Sequence, residues 1–268
     1  MQKKQQNVDK YQINVETTED LLTIDIEEYI VGVVAGEMPA LFHEEALKAQ
    51  AIASRTYLIN HLQTNKTISN TTDDQVYLTK EEMQLKWGND YNEYYNKIKK
   101  AVTATKDLIM YYNNEPIKAY YFSTSNGYTA SSISVFNEQS DYLTSVKSPF
   151  DQDNSNTIEI SKQDFCNKLD ISCNKISITN IIKDNSNRVS KITINNKEYK
   201  GTKIRKLLSL RSTDFTFNIK ENNIEITTKW YGHGVGMSQY GANNQAKQGY
   251  TYKEILKYYY KDIKIGSM

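Results

Sequence analysis

One acidic side chain, Glu37, interrupts the otherwise apolar stretch VVAGEMPALF at residues 33–42. Burying an ionised carboxylate is costly, so such a glutamate either pairs with a cation or has a raised pKa and acts as a general acid. Because Gly36 and Pro39 bracket it, we expect Glu37 in a turn just before a helix, a setting in which chemistry is common. This segment alone leaves both alternatives open.

Arg55 is a second candidate, because it interrupts the Ala-rich segment from His43 to Leu62, which we predict to be a helix. One interpretation is an ordinary structural salt bridge, with Glu37 as a possible partner. The other is a group that positions Glu37 or a bound sugar, together with the neighbouring Tyr57.

Three consecutive hydroxyl side chains, Ser123, Thr124 and Ser125, lie in the segment FSTSNGYTA at residues 122–130. They form either the end of a strand before an Asn126–Gly127 turn, or a ledge of donors and acceptors suited to a neutral polyol. They are not a nucleophilic triad, because the chain has no G-x-S-x-G elbow.

A Gly-rich segment, WYGHGVGMSQYGA at residues 230–242, interleaves four glycines with polar side chains. It lacks the Gly-Lys-Ser/Thr ending of a phosphate-binding P-loop. The histidine spacing shows no H-E-x-x-H metal motif. The candidate binding side chains here are His233, Ser238, Gln239 and Tyr240.

Composition excludes some classes of function. The 268 residues suffice for one large or two small domains, and 33 basic against 32 acidic residues argue against nucleic-acid binding. No stretch approaches the ~20 apolar residues of a membrane-spanning helix, and the first ten residues lack the apolar core of a signal peptide. We therefore expect either a cytoplasmic protein or a domain from which an anchor has been removed.

Local patterns predict an α+β fold, with a mixed, mainly antiparallel sheet and packed helices around a substrate groove, plus a β-rich second lobe. The elements include a strand at LLTIDI, a helix from about residue 92 to 105 and a hairpin around Asn113–Asn114. A short helix is predicted near KIRKLLSL, a helix end near Gly249, and a capping box at Thr251–Glu254 before the last helix.

Two cysteines, Cys166 and Cys173, are too few to complete a zinc site by themselves. In an oxidising compartment they could form a disulfide, and in a reducing one they would stay thiols.

Four stretches together resemble the SpoIID (SpoIID/LytB) proteins of spore-forming bacteria. They are EYIVGVVAGEMPALFHEEALKAQAIASRTY, KAYYFSTSNGYTA, LRS at 210–212, and YGHGVGMSQYGANNQAKQGYTYKEILKYYY. The resemblance implies a lytic transglycosylase that cleaves the bond between N-acetylmuramic acid (MurNAc) and N-acetylglucosamine (GlcNAc) in peptide-stripped glycan, leaving 1,6-anhydroMurNAc ends. It further implies septal peptidoglycan remodelling during forespore engulfment.

The resemblance makes Glu37 the catalytic acid and base. One carboxylate suffices, because the substrate's own C6 hydroxyl is the nucleophile, whereas ordinary glycosidases use two. The resemblance implies no cofactor. Some clostridial relatives bind zinc through Cys and His near the Ser-rich strand, where this chain has Ser, Thr and Asn, so we predict no metal. The implied sugar-binding residues are Arg55, Tyr57, Ser123, Thr124, Ser125, His233, Ser238, Gln239 and Tyr240.

The implied partners are a sporulation amidase or endopeptidase and membrane proteins of the engulfment complex. The implied location is the outer face of the membrane, between mother cell and forespore, through a missing N-terminal anchor. We predict a lead-in at 1–24, a catalytic core at 25–150, an inserted lobe at 151–228 and a return to the core at 229–268. Two alternatives stay open: an amidase enhancer that binds glycan without cutting it, and an ordinary muramidase.

Overall fold

A computed structural model describes residues 12–17, 21–151 and 154–268. Helices and several small, mostly antiparallel sheets confirm the predicted α+β class. The described residues divide into two compact units. Unit 1 comprises residues 12–120, 245–257 and 262–268, and unit 2 comprises residues 121–244 and 258–261. Residues 1–11 and 18–20 of the predicted lead-in lie outside the described residues, and the predicted domain boundaries stay predictions.

Unit 1 begins with a small sheet and two helices. The sheet has the order β2-β1-β3, and its middle strand pairs antiparallel with one neighbour and parallel with the other. The second strand confirms the prediction at LLTIDI. The elements are β1 (Gln12–Glu16), β2 (Leu21–Asp25), α1 (Ile26–Glu37), α2 (Glu44–Leu62) and β3 (Ile68–Ser69).

Two helices, α1 and α2, supply many of the buried side chains of unit 1. The Asp25 side chain caps α1 by accepting from the backbone N–H groups of Glu27 and Glu28. α2 confirms the predicted Ala-rich helix, and its alanines allow close packing against α1 and against α4. The next elements are α3 (Lys80–Trp87) and α4 (Tyr91–Ala104), the latter confirming the helix predicted from about residue 92 to 105.

The predicted hairpin around Asn113–Asn114 is confirmed, with both asparagines at positive φ (50° and 66°). It joins β4 (Leu108–Tyr112) to β5 (Glu115–Pro116), and β4 also pairs with the C-terminal strand β16 (Lys264–Ser267). The second strand is shorter than predicted, because Tyr121–Phe122 pairs with a different segment.

Unit 2 contains the Ser-rich and Gly-rich segments. β6 (Tyr121–Phe122) pairs in parallel with β15 (Met237–Ser238), and β7 (Gly127–Tyr128) pairs antiparallel with β8 (Lys147–Ser148). The short helix α5 covers Ser132–Phe136.

Two three-stranded antiparallel sheets, ordered β10-β11-β12 and β13-β14-β9, pack with two helices around a hydrophobic core that includes Phe165, Ile192 and Phe215. A disulfide joins Cys166 to Cys173 beside this core. α7 confirms the helix predicted near KIRKLLSL. The elements are β9 (Ser155–Ser161), α6 (Lys162–Leu169), β10 (Ile178–Lys183), β11 (Val189–Ile194), β12 (Lys197–Lys200), α7 (Gly201–Leu207), β13 (Phe215–Ile219) and β14 (Asn223–Lys229).

Helices α8 (Gln239–Lys247) and α9 (Tyr252–Tyr259) contribute residues to both units. The helix end near Gly249 and the capping box are confirmed. Glu254 accepts from the backbone N–H of Thr251 at 2.8 Å, and Glu254 N–H donates to the Thr251 hydroxyl at 3.4 Å.

Candidate functional site

Glu37 is the last residue of α1, and not part of a turn before a helix as the sequence suggested. The helix ends there because Met38 precedes Pro39, and a residue before proline is driven out of the helical region. Met38 is accordingly extended, with φ −128° and ψ 139°. The proline at position 39 thus makes Glu37 the last residue of α1.

The segment 75–78 holds this carboxylate. The backbone N–H of Val76 donates to Glu37 Oε1 at 2.7 Å, and Leu78 N–H donates to the Gly32 carbonyl at 3.2 Å. A Cβ on Gly36 would lie 2.4 Å from the Val76 carbonyl oxygen, and one on Gly32 would lie 2.2 Å from the Tyr77 ring. The two glycines, four residues apart on one helix face, therefore let the segment approach closely enough to bind Glu37.

A buried phenol lies beside this segment. Tyr29 is fully buried, stacks on Tyr77 with ring centroids 5.4 Å apart, and receives a hydrogen bond from Gln75 Nε2 at 3.4 Å. Burial raises the pKa of Tyr29, and the negative charges of Asp74 and Glu37 act in the same direction. Tyr29 therefore stays protonated.

Asp74 anchors the start of the same segment, and the sequence analysis missed it. Its carboxylate accepts from Ser69 N–H at 2.9 Å and from the Tyr57 hydroxyl at 3.2 Å, and lies 3.3 Å from His61 Nδ1. His61 Nε2 lies 2.9 Å from the Thr67 carbonyl, so both ring nitrogens have a polar neighbour. Asp74 stands in an Asn- and Thr-rich loop, where no spacing signalled it.

Arg55 forms a salt bridge with Glu27, and not with Glu37. The side chain is fully buried, Nε and Nη2 donate to the two Glu27 oxygens at 2.8 and 2.6 Å, and Nη1 donates to the Leu108 carbonyl at 3.1 Å. This bidentate geometry favours the structural alternative over a sugar contact. Tyr57 reaches Asp74, and burial followed by the Asp74 charge raises the pKa of Tyr57.

In unit 2 the structure brings the Ser-rich and Gly-rich segments together. The Ser123 carbonyl accepts from Tyr240 N–H at 3.1 Å and from the Ser238 hydroxyl at 3.3 Å. The Thr124 and Ser125 hydroxyls are buried, Thr124 accepting from Tyr231 N–H at 2.8 Å and Ser125 donating to the Ser148 carbonyl at 3.3 Å. Of the predicted ledge, Ser123 is the member with partial exposure.

His233 is held by its backbone and aromatic neighbours. Its Nδ1 accepts from Val235 N–H at 3.0 Å, and its ring packs against Phe122 and Phe136. Burial, followed by the positive charges of Arg205 and Arg188, lowers the pKa of His233 to about 3, so the ring is neutral. Gln239 is buried and Tyr240 is 41% exposed, which leaves Tyr240 the more accessible of the two.

Asp151 is a half-buried acid that sequence reasoning missed. It accepts from the Ser238 hydroxyl at 2.7 Å and from the Ser148 hydroxyl at 3.3 Å. Burial raises the pKa of Asp151 to about 6, although hydrogen bonds from Ser238, Ser125, Ser148 and Gly241 oppose the shift. Asp151 therefore ties the Gly-rich segment to the loop after β8.

Asn126 and Arg188 complete the surroundings of these segments. The Asn126 amide donates to the Ser186 carbonyl at 2.9 Å and to Asp214 Oδ2 at 3.0 Å. The buried Arg188 guanidinium lies against Gly234, where a Cβ would approach within 2.7 Å. This contact and a φ of +87° require glycine at position 234.

Within residues 12–17, 21–151 and 154–268, no group of three or more His, Cys, Asp or Glu side chains is arranged to hold a metal ion. The metal-free site stays a prediction. In the same residues no helix is long and apolar enough to cross a membrane.

Comparisons with known proteins now bear on the family. A family model described as "SpoIID: Stage II sporulation protein" matches residues 14–112. The chain is 42% identical over 256 residues to stage II sporulation protein D of Bacillus subtilis (strain 168), covering 91% of this chain and 75% of that protein. It is 41% identical to the same-named protein of Bacillus amyloliquefaciens, with 91% and 74% covered.

A more distant relative is the "Amidase enhancer" of Bacillus subtilis (strain 168), 30% identical over 295 residues, with 88% of this chain and 40% of that protein covered. The two nearer matches extend over most of both chains. The protein therefore belongs to the stage II sporulation protein D (SpoIID) family, as the sequence motifs indicated.

Proposed function

We propose that this protein is a peptidoglycan lytic transglycosylase with Glu37 as its catalytic acid and base. The observation that carries the proposal is the position of Glu37 at the end of α1, where the Val76 N–H donates to Oε1 at 2.7 Å and holds the carboxylate in a defined place. Three other acids near α1 make structural contacts: Glu27 pairs with Arg55, Glu28 pairs with Lys80, and Asp74 is bound by Ser69 and Tyr57.

One such carboxylate can complete the reaction. Protonated Glu37 gives its proton to the glycosidic oxygen as the bond from muramyl C1 to that oxygen breaks. The Glu37 carboxylate then takes the proton of the muramyl C6 hydroxyl, whose oxygen bonds to C1 and closes the 1,6-anhydro ring. Protons balance over the cycle, and no water is consumed.

The proposed substrate is glycan already stripped of its stem peptides, and the proposed setting is septal peptidoglycan remodelling in sporulation. The family membership and the sporulation proteins among its relatives support this setting. A cell-wall amidase as partner is supported by the name of the amidase enhancer. We place the protein on the outer face of the membrane, in the space between mother cell and forespore.

The test is product analysis on peptide-free glycan by mass spectrometry. We expect anhydromuramyl ends with the wild type, and a fall of about 10²–10⁴-fold with Glu37→Gln, the range typical of a lost general acid. Glu28→Gln, on the same helix and exposed, is the control and should keep activity. Undiminished activity of Glu37→Gln would show that another residue carries the reaction.

The amidase-enhancer alternative rests on the 30% identity to that relative. It predicts no anhydromuramyl ends from the protein alone, but faster release of stem peptides when a cell-wall amidase is added. A muramidase would instead leave reducing ends that incorporate labelled oxygen from water.

A further inference from the structure

Two side-chain contacts connect α3 to α1, in the same order along both helices. Lys80, at the start of α3, pairs with Glu28 in the first turn of α1. Lys86 Nζ, at the end of α3, donates to the carbonyl of Ala35 in the last turn of α1 at 2.9 Å. Lys80 and Lys86 are six residues apart on α3, and Glu28 and Ala35 are seven residues apart on α1. These separations correspond to about 9 and 10 Å along the two helix axes. Trp87, the last residue of α3, therefore directly follows the lysine that contacts the last turn of α1, the turn that ends in Glu37.

Trp87 belongs to an aromatic cluster built by α3 and α4, which we call the aromatic platform: Trp87, Tyr91, Tyr94 and Tyr95. Tyr94 meets Trp87 edge to face at 5.7 Å, Tyr91 lies 6.4 Å from Trp87, and Tyr91 stacks on Tyr95 at 5.5 Å. All four rings are partly exposed, and the adjacent Leu85 is 87% exposed. Ring contacts therefore hold an apolar surface in place at the solvent boundary.

The polar groups around the platform point to the class of ligand. Residues 84–99 carry three lysines against two acids, so the region is nearly neutral. The same residues supply four amide side chains, Gln84, Asn89, Asn92 and Asn96. Rings that stack on apolar sugar faces, with amides that donate to and accept from hydroxyl and acetamido groups, match a neutral amino-sugar chain.

We propose that the aromatic platform is a sugar-binding subsite, where Trp87 and Tyr94 stack on GlcNAc-type units of the glycan strand whose bond is presented to Glu37. The inference rests on the proposed function, because it treats the strand cut at Glu37 as the ligand. With this subsite, the protein binds sugar units of the glycan strand beyond those that flank the cleaved bond. It predicts a preference for longer chains.

The first test uses fluorescence. The chain has two tryptophans, so Trp230→Phe leaves Trp87 as the sole indole emitter. With Glu37→Gln added to prevent turnover, titration with peptide-free glycan oligosaccharides should change Trp87 emission saturably. Binding of the same oligosaccharides by the variants is measured by titration calorimetry. Trp87→Ala and Tyr94→Ala should each weaken this binding at least fivefold, and Trp87→Phe should weaken it less.

Tyr250→Ala is the matched control, because Tyr250 is a 40% exposed tyrosine of unit 1 outside the platform, and it should leave binding unchanged. In the Glu37-containing protein, Trp87→Ala should raise KM for long chains and keep kcat. Normal binding by both Trp87→Ala and Tyr94→Ala would overturn the inference. So would emission that responds to a protein partner and not to glycan.

Failure of the proposed function gives a different result. If the wild type forms no anhydromuramyl ends but Trp87 emission still reports glycan, the subsite stands and the catalytic proposal falls. If the ends form while Trp87 is silent, the subsite falls and the catalytic proposal stands.

Discussion

At the scale of single residues, three informative acids differ in how readily they can be recognised from the sequence. Glu37 stands out because its neighbours are apolar. Asp74 and Asp151 stand in polar surroundings, and their roles come from partners far along the chain, such as Tyr57 for Asp74 and Ser238 for Asp151. The spacing of residues within a segment does not reveal contacts with distant segments, so the roles of Asp74 and Asp151 could not be predicted.

Asp151 gives a pH dependence of stability. Its folded pKa of about 6 exceeds the ordinary value of 3.8, so the fold favours the protonated form. The stabilisation of the folded state by protonated Asp151 is fully present below pH 3.8 and is lost as the pH rises through 6. The free energy of unfolding changes by about 3 kcal/mol over this range. Asp151→Asn cannot ionise and should lack this loss.

Urea unfolding of the wild type and Asp151→Asn between pH 3.5 and 7 measures the difference. We expect the wild type to lose stability relative to the variant by about 3 kcal/mol over this range. A difference in the free energy of unfolding that stays constant with pH would contradict the assignment. Asp164→Asn, an exposed acid of the same unit, is the control.

At the scale of elements, several segments were predicted correctly, whereas the helices α1 and α3 were missed. α2, α4, the Asn113–Asn114 hairpin and the capping box have local signals in composition or turn residues. α1 was missed as a helix, because it is apolar on nearly every face and contains two glycines. α3 was also missed, although Thr79 and Glu82 form a capping box before it.

The two glycines of α1 also give a prediction. Gly36→Ala would push a methyl group against the Val76 carbonyl oxygen, 2.4 Å away, and displace the N–H that holds Glu37. We expect a loss of about 1–3 kcal/mol in stability and a fall in transglycosylase activity of at least tenfold, about 1.4 kcal/mol of positioning.

Gly266→Ala is the matched control, since its Cβ would find ordinary contacts at 3.6 Å in β16. Urea unfolding and the rate of anhydromuramyl release should separate the two variants. Equal activity of Gly36→Ala and Gly266→Ala would show that the Val76 contact does not position Glu37.

At the scale of the whole molecule, the sequence predicts the α+β class but not the membership of the compact units. Short strands from distant segments create unit 2, as when Tyr121–Phe122 pairs with Met237–Ser238. Two-residue strands leave no periodicity to detect, so only tertiary contacts reveal them. The predicted boundaries at residues 150 and 229 stay predictions.

The disulfide allows the stabilities of the two units to be changed separately in an experiment. Cys166 and Cys173 both belong to unit 2, and in a chain-entropy account closing this short loop stabilises it by about 2–3 kcal/mol. Reduction should lower the stability of unit 2 and leave unit 1 unchanged, as measured by hydrogen exchange with and without a thiol reductant. A double Cys→Ala variant should not respond, and equal loss of protection in both units would refute the prediction.

The Asn126–Gly127 step, at which β7 begins, has a consequence for the chemical lifetime of the protein. It is the one Asn-Gly step in the sequence, and a following glycine lets the backbone nitrogen attack the asparagine amide, so that the side chain deamidates on storage. The new carboxylate would face Asp214, whose oxygen now accepts from the Asn126 amide at 3.0 Å. Stored protein should therefore lose packing first beside the Ser-rich segment. Peptide mass spectrometry of stored samples would measure the rate of Asn126 deamidation, with the Asn126→Gln variant as the comparison.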